Sequence, residues 1–164
     1  MTPAEVRALR LAGRRDEHRV AARALAADQP EDVLAQIEAA YGHDHAGEEQ
    51  AAIRHYDEAH RLGVPDPDRR RFLVGYGSTL RNVGRADDAV GILGQAIADD
   101  PGYPAFAGFL ALALLDAGHP RAALATMLGC ALDAAGPGVF DGYERALTAY
   151  HGELLQSLRD TPSR

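Results

Sequence analysis

The sequence predicts an all-α fold of repeated helical hairpins, and two repeating patterns support this prediction. In three segments, a glycine is followed five residues later by an alanine and then by an aliphatic residue; the glycines are Gly47, Gly84 and Gly118. A large apolar residue then follows four positions after each alanine, and a small residue follows seven positions after it. This spacing marks one helix face, so Tyr56 and Met127 are expected in the core. A second helical stripe precedes each glycine, so each unit is predicted to be helix, tight turn, helix.

The same glycines and a few prolines set the expected limits of each unit. Glycine suits the position after a helix, because it adopts the left-handed conformation without a steric penalty. Pro65 and Pro101 are expected to end the first and second units, since proline cannot continue a helix. The three hairpins together are predicted to occupy residues 31–135.

Helical segments are also expected on both sides of the hairpins. Residues 3–27 are predicted to be helical, opened by Thr2, and Gly13 is expected to bend or break this helix. Residues 138–159 are predicted to form an amphipathic helix that covers one end of the repeats. Its apolar stripe consists of Phe140, Tyr143, Leu147, Tyr150, Leu154 and Leu158. A chain of 164 residues suits one core, so a single domain over residues 1–164 is expected.

Composition and charge exclude several classes of protein. Apolar residues make up 46% of the chain and charged residues 25%, which is typical of a globular protein. The longest apolar run, residues 105–115, is shorter than the roughly 20 residues that cross a bilayer, so no membrane association is expected. The net charge is −7, and nucleic acid is therefore not an expected partner. The charge is uneven: residues 1–30 carry six arginines against four acids, whereas residues 31–62 carry eight acids against two arginines.

Cysteine and lysine usage indicate where the protein works. The single cysteine, Cys130, excludes an internal disulfide and is expected to be a buried packing residue. No secretory signal opens the chain, and a cytoplasmic location is expected. All 17 basic residues are arginine and none is lysine, which suggests a GC-rich bacterial genome.

These patterns resemble the tetratricopeptide repeat, a helical hairpin of about 34 residues. Residues 70–103 match it best, through the positions of Leu73, Tyr76, Gly84 and Ala89. The resemblance implies an all-α, right-handed α-solenoid of about three hairpins with flanking N- and C-terminal helices. More narrowly, residues 40–49, 55–59 and 78–85 are similar to a small bacterial family of uncharacterised repeat proteins that are thought to form dimers.

No pattern in the chain points to catalysis, a metal or a cofactor. His43 and His45 are two residues apart, and His55 and His60 are five apart, so neither pair has the i, i+4 spacing of a helical metal site. These histidines are expected to be exposed or groove residues. Phosphate-binding loops, nucleophile elbows and dinucleotide-binding fingerprints are missing from the sequence. We therefore expect no catalytic residues, no metal site and no cofactor.

The resemblance implies a concave groove lined by the first helix of each hairpin. Aligning the three units assigns ten residues to this groove: Tyr41, Asp44, His45, Arg71, Val74, Ser78, Arg81, Asn82, Leu112 and Asp116. The third part of the wall is apolar, because the helix at residues 105–115 has no polar side chain on any face. Something is expected to cover this helix.

Two functions remain open at this stage, and both are interactions with proteins. In the first, the chain is a non-catalytic module that forms a homodimer, and the stripe of the C-terminal helix covers residues 105–115 of the same chain or of a second copy. In the second, the chain is an adaptor in which Arg81 and Asn82 bind an extended acidic or C-terminal peptide of another protein.

Overall fold

The computed structural model describes residues 1–160, which form helices and no strand. The predicted all-α fold class is confirmed. In chain order, the helices are α1 (Pro3–Leu11), α2 (Arg15–Asp28), α3 (Val33–His45), α4 (Glu49–Leu62), α5 (Arg69–Asn82), α6 (Ala86–Asp99), α7 (Pro104–Asp116), α8 (Pro120–Ala134) and α9 (Glu144–Arg159).

Local sequence signals explain where most of these helices begin and end. The side chain of Thr2 caps α1, and Glu5 completes a capping box with it. Gly13 separates α1 from α2 with a φ of 73°, so the expected break in residues 3–27 is present. The three repeat glycines also have positive φ angles of 72°, 84° and 82°, as glycines that follow a helix should.

The chain divides into two compact units, Met1–Gly84 and Arg85–Arg164, of which the second is described to residue 160. We call them the N-terminal unit (α1 to α5) and the C-terminal unit (α6 to α9). The expectation of a single domain over residues 1–164 stays a prediction.

Helix α3 lies at the centre of the N-terminal unit, where it contacts α1, α2, α4 and α5. Every residue from Ala35 to His43 is buried. Four aromatic rings pack together beside it, with neighbouring ring centroids 5.4–6.2 Å apart; they are Tyr41, Tyr56, Phe72 and Tyr76. This arrangement gives the N-terminal unit a core of large side chains.

The C-terminal unit has a core of small side chains. Its helices pack in sequence, α6 on α7, α7 on α8 and α8 on α9. Within residues 85–160, the buried residues are alanines except Leu93 and Phe106. Met127, expected in the core, is 41% exposed, and Cys130 is half-buried rather than buried. Of the predicted core face of α8, only Ala123 is buried, so the neighbouring helices do not enclose Met127 and Cys130.

Candidate functional site

The N-terminal unit contains a network of charged side chains centred on Glu38. Asp32 caps the start of α3 by accepting hydrogen bonds from two backbone N–H groups, and Glu38 lies in the middle of this helix. Glu38 is fully buried, and it is a charged residue in a stretch of the helix that is mostly apolar. A buried carboxylate needs charged and hydrogen-bonded partners, and here they come from α1 and α2.

Two arginines of α1 and one histidine of α2 supply these partners. Arg7 Nε donates to Glu38 Oε1 at 3.0 Å, and Arg10 donates to both carboxylate oxygens at 2.8 and 2.9 Å. His18 Nε2 lies 3.0 Å from Glu38 Oε2. Burial alone raises the pKa of Glu38, but the hydrogen bonds from His18 and Arg10 outweigh it and lower this pKa to about 2. Arg7 also donates to Asp68, just before α5, so α1 is held to α3 and to the start of α5.

Tyr41, which was expected to line an open groove, is only 5% exposed. The guanidinium groups of Arg10 and Arg71 lie 4.8 and 5.7 Å from the centre of its ring, within cation–π range. Burial raises the pKa of the Tyr41 hydroxyl to about 12. The expectation of an accessible Tyr41 was therefore wrong, because the N-terminal helix α1 covers this part of α3.

Asp44 and His45, at the end of α3, have different surroundings. Asp44 is half-buried and accepts a hydrogen bond from the Tyr56 hydroxyl at 3.0 Å. Burial raises the pKa of Asp44, and it also raises that of Tyr56. His45 is exposed. Asp44 thus holds the Tyr56 ring through a hydrogen bond, whereas His45 lies at the surface.

His45 and Arg71 line one cavity of about 250 Å³ in the N-terminal unit. Arg10, Arg15 and His18 also line it. The cavity therefore has three arginines and two histidines in its wall. The structure thus brings together two of the ten predicted groove residues with three residues that sequence reasoning missed. The excess of arginine in residues 1–30 was the available signal for Arg10 and Arg15, whereas nothing in the sequence pointed to His18.

The remaining predicted groove residues of the N-terminal unit lie along α5. Val74, Ser78 and Arg81 are half-buried, and Asn82 is exposed. The Asn82 amide donates to Glu49 Oε1 at 2.9 Å. Both residues expected to bind a peptide, Arg81 and Asn82, thus already have interaction partners.

In the C-terminal unit, the apolar helix α7 presents two leucines to solvent. Leu112 is 40% exposed and Leu115 is 54% exposed, and the predicted groove residue Asp116 is exposed beside them. Within the described chain, α9 packs against α8 and makes no contact with α7. The prediction that α9 covers α7 within the same chain is therefore wrong.

The C-terminal helix begins later than expected, at Glu144 instead of residue 138. Gly138, Asp141 and Gly142 have φ angles of 79°, 51° and 86°, which an α-helix does not allow. Phe140 therefore lies in a turn, and Tyr143 immediately precedes the helix. The stripe has no buried member: Tyr143 and Tyr150 are exposed, whereas Phe140, Leu147, Leu154 and Leu158 are half-buried.

A second group of histidines lies between α3 and α4, where the sequence predicted exposed or groove residues. His43 is buried, and its ring stacks on that of His55 with centroids 5.4 Å apart. His43 Nδ1 lies 2.5 Å from Glu48 Oε2, and His55 Nδ1 lies 2.7 Å from Gln36 Oε1. Burial lowers the pKa of His55. The expectation of an exposed or groove position was wrong for His43, because its ring is buried against His55 of α4.

The structure also bears on metals and membranes. Among the described residues, no three His, Cys, Asp or Glu side chains are grouped so that they could share a metal ion. No helix within residues 1–160 has both the length and the apolar character needed to span a bilayer.

Helix pairs joined by glycine turns at intervals of 34 to 37 residues define a helical repeat protein. The family model described as "Tetratrico peptide repeat" matches residues 33–154, most of the chain, and the protein belongs to this family. Its repeats are protein interaction modules and are typically not enzymes, so the chain has protein partners. No curated protein matches the chain significantly. The resemblance to tetratricopeptide repeats is thus confirmed, and the narrower resemblance to a small bacterial family stays a prediction.

Proposed function

We propose that the protein is a non-catalytic interaction module that forms a homodimer in the cytoplasm through two apolar surfaces of its C-terminal unit. The first surface is the α7 face, formed by Leu112 and Leu115. The second is the α9 face, formed by Tyr143 and Tyr150. In the dimer, the α9 face of each copy packs on the α7 face of the other, so the contact occurs twice around a two-fold axis.

The observation that carries this proposal is the exposure of the α7 face. Residues 104–115 contain no polar side chain, and a helix that is apolar all round is normally covered all round. The α9 face is apolar and exposed as well, with Tyr143 and Tyr150 at 69% and 59%. Large side chains such as these contribute roughly 1.5–3 kcal/mol each when they become fully buried.

Charge favours a second copy as the occupant of the α7 face. Between Asp100 and Asp133, the only charged residues are Asp116 and Arg121, so this region has no net charge. Two copies of a chain with a net charge of −7 repel each other over most of their surfaces, but not here. A neutral apolar face is therefore where two copies approach at the lowest electrostatic cost.

Light scattering on paired variants tests the proposal. The wild type should have the mass of a dimer, and both Leu112→Glu with Leu115→Glu and Tyr143→Glu with Tyr150→Glu should give folded monomers. Val20→Glu is the matched control, because Val20 is 65% exposed but lies in the N-terminal unit. A wild type that is monomeric at every concentration would contradict the proposal, as would a dimer that survives both double substitutions.

The alternative function, an adaptor that binds an acidic or C-terminal peptide through Arg81 and Asn82, has less support. The Asn82 amide already donates to Glu49, and Arg81 is half-buried. A peptide would have to replace the Glu49 carboxylate at this amide. Binding of an acidic peptide that Asn82→Ala abolishes, in a chain that is monomeric, would favour the adaptor.

A further inference from the structure

The N-terminal unit has an open cavity whose wall is strongly basic, and the dimer proposal leaves it without a role. Side chains from four helices line it: Arg10 from α1, Arg15 and His18 from α2, His45 from α3 and Arg71 from α5. Its volume is about 250 Å³, whereas one water in the liquid occupies about 30 Å³. The cavity therefore has room for a polyatomic group.

The arginines of this wall carry more positive charge than the neighbouring carboxylate of Glu38 can neutralise. Arg10 is paired with the buried carboxylate of Glu38. Within residues 1–160, neither Arg15 nor Arg71 has a carboxylate partner. Two guanidinium groups without a carboxylate partner thus remain in the wall.

The start of α2 strengthens the preference for an anion. Helix α2 begins at Arg15, and no side chain caps its N-terminus. The dipole of this 14-residue helix therefore favours negative charge near Arg15. Glu17, in the first turn, is paired with Arg14, and neither Asp16 nor Glu17 lines the cavity.

We propose that this cavity binds the phosphomonoester group of a ligand. A phosphomonoester carries a charge of about −1.5 to −2 at pH 7, which matches the two arginines that lack a carboxylate partner, whereas a single carboxylate would compensate only one. Guanidinium groups also bind phosphate through two parallel hydrogen bonds. The group belongs either to a small phosphate ester or to a phosphorylated side chain of a protein.

Calorimetry on the full chain tests this proposal with O-phosphoserine, a phosphoserine peptide, serine and succinate as probes. O-phosphoserine should bind at one saturable site, and serine should not bind. Succinate has a similar charge but divides it between two separated carboxylates, so it should bind at least tenfold more weakly. Binding should weaken as salt is added. Tighter binding of the peptide would identify a phosphorylated protein as the source, and equal affinities would identify a small phosphate ester.

Matched arginine variants assign the site. Arg15→Gln and Arg71→Gln should each weaken O-phosphoserine binding at least tenfold. Both residues are exposed and lack an ion pair with a carboxylate, so neither variant should unfold the protein. Arg15→Gln should keep the wild-type melting temperature, whereas Arg71→Gln also loses the cation–π contact with Tyr41 and should lower it slightly. Arg14→Gln, next to the site but outside the cavity, should bind like the wild type. Equal affinity for succinate would overturn the proposal. It would also be overturned if no saturable binding occurred, or if Arg14→Gln weakened binding as much as Arg71→Gln.

Discussion

The N-terminal and C-terminal units use helices of similar length but fill the space between them differently. In the N-terminal unit, aromatic rings pack around α3, and a buried carboxylate is held by arginines. In the C-terminal unit, as far as residue 160, alanine dominates the buried positions. Large apolar residues lie on its outside instead, among them Leu115 and Leu124, which are 54% and 57% exposed.

This difference shows that one repeat pattern can be packed in two ways. Hydrophobic stabilisation grows with the apolar area removed from water, so a core of alanines contributes less than a core of rings. The C-terminal unit leaves several large apolar side chains exposed, and the proposed dimer would cover some of them. The N-terminal unit buries its large apolar side chains. Its interior also holds the ion pair of Glu38 with Arg10, beside the basic cavity. The predictions below test this contrast.

The largest loss of stability is expected when the buried carboxylate of Glu38 is removed. Glu38→Gln leaves the guanidinium of Arg10, whose side chain is 9% exposed, without its negative partner. Breaking a buried ion pair on one side costs about 3–5 kcal/mol, so urea unfolding should show a loss of this size. Glu58→Gln is the matched control, because it breaks an exposed pair with Arg61 and should change stability little. Equal losses in the two variants would mean that the Glu38 network does not stabilise the N-terminal unit.

A slightly smaller loss of stability is expected when the pH is lowered. The pKa of Glu38 falls from its usual 4.5 to about 2 on folding, so the unfolded chain binds this proton more readily than the folded chain. The stability that Glu38 contributes is therefore complete above about pH 4.5 and is lost as the pH falls towards 2. The loss should amount to about 2–3 kcal/mol in unfolding measured across this range. In Glu38→Gln this part of the pH dependence should be missing, and an unchanged profile would contradict the assignment.

Sequence reasoning predicted the repeats well because their signals are local. Helix faces and glycine turns depend on residues a few positions apart, and the α3–α4 and α7–α8 pairs follow those signals. The contact between Arg7 and Glu38 joins residues 31 positions apart, and no local spacing encodes it. The burial of Tyr41 depends on the same docking of α1.

The exposure of predicted core residues was equally hard to foresee. Tyr56 and Met127 occupy equivalent positions in their repeats, yet Tyr56 is fully buried and Met127 is 41% exposed. Periodicity identifies which face of a helix packs, but the neighbours decide how completely it is covered. Three aromatic rings surround Tyr56. The side chains around Met127 leave 41% of it exposed.

A glycine substitution tests how tightly the N-terminal unit is packed. A Cβ atom added at Gly75, in α5, would lie 2.5 Å from the Tyr56 hydroxyl oxygen and 3.2 Å from Cζ of the same ring. Tyr56 has little freedom to move, because its ring is fully buried and its hydroxyl donates to Asp44. Gly75→Ala should therefore destabilise the protein by about 1–3 kcal/mol through overpacking, as measured by urea unfolding. A neutral or stabilising result would mean that the aromatic rings rearrange at little cost to accommodate the added methyl group.

The smallest effect, of opposite sign, is expected from the same substitution in the C-terminal unit. Gly94 lies inside α6, and a Cβ atom added there would meet nothing within 4 Å. Glycine inside a helix costs about 0.5–1 kcal/mol relative to alanine, because it loses more backbone freedom on folding. Gly94→Ala should therefore stabilise the protein by up to this amount and leave its mass in light scattering unchanged. If Gly94→Ala instead destabilised the protein as much as Gly75→Ala, the packing of the two units would not differ as the structure indicates.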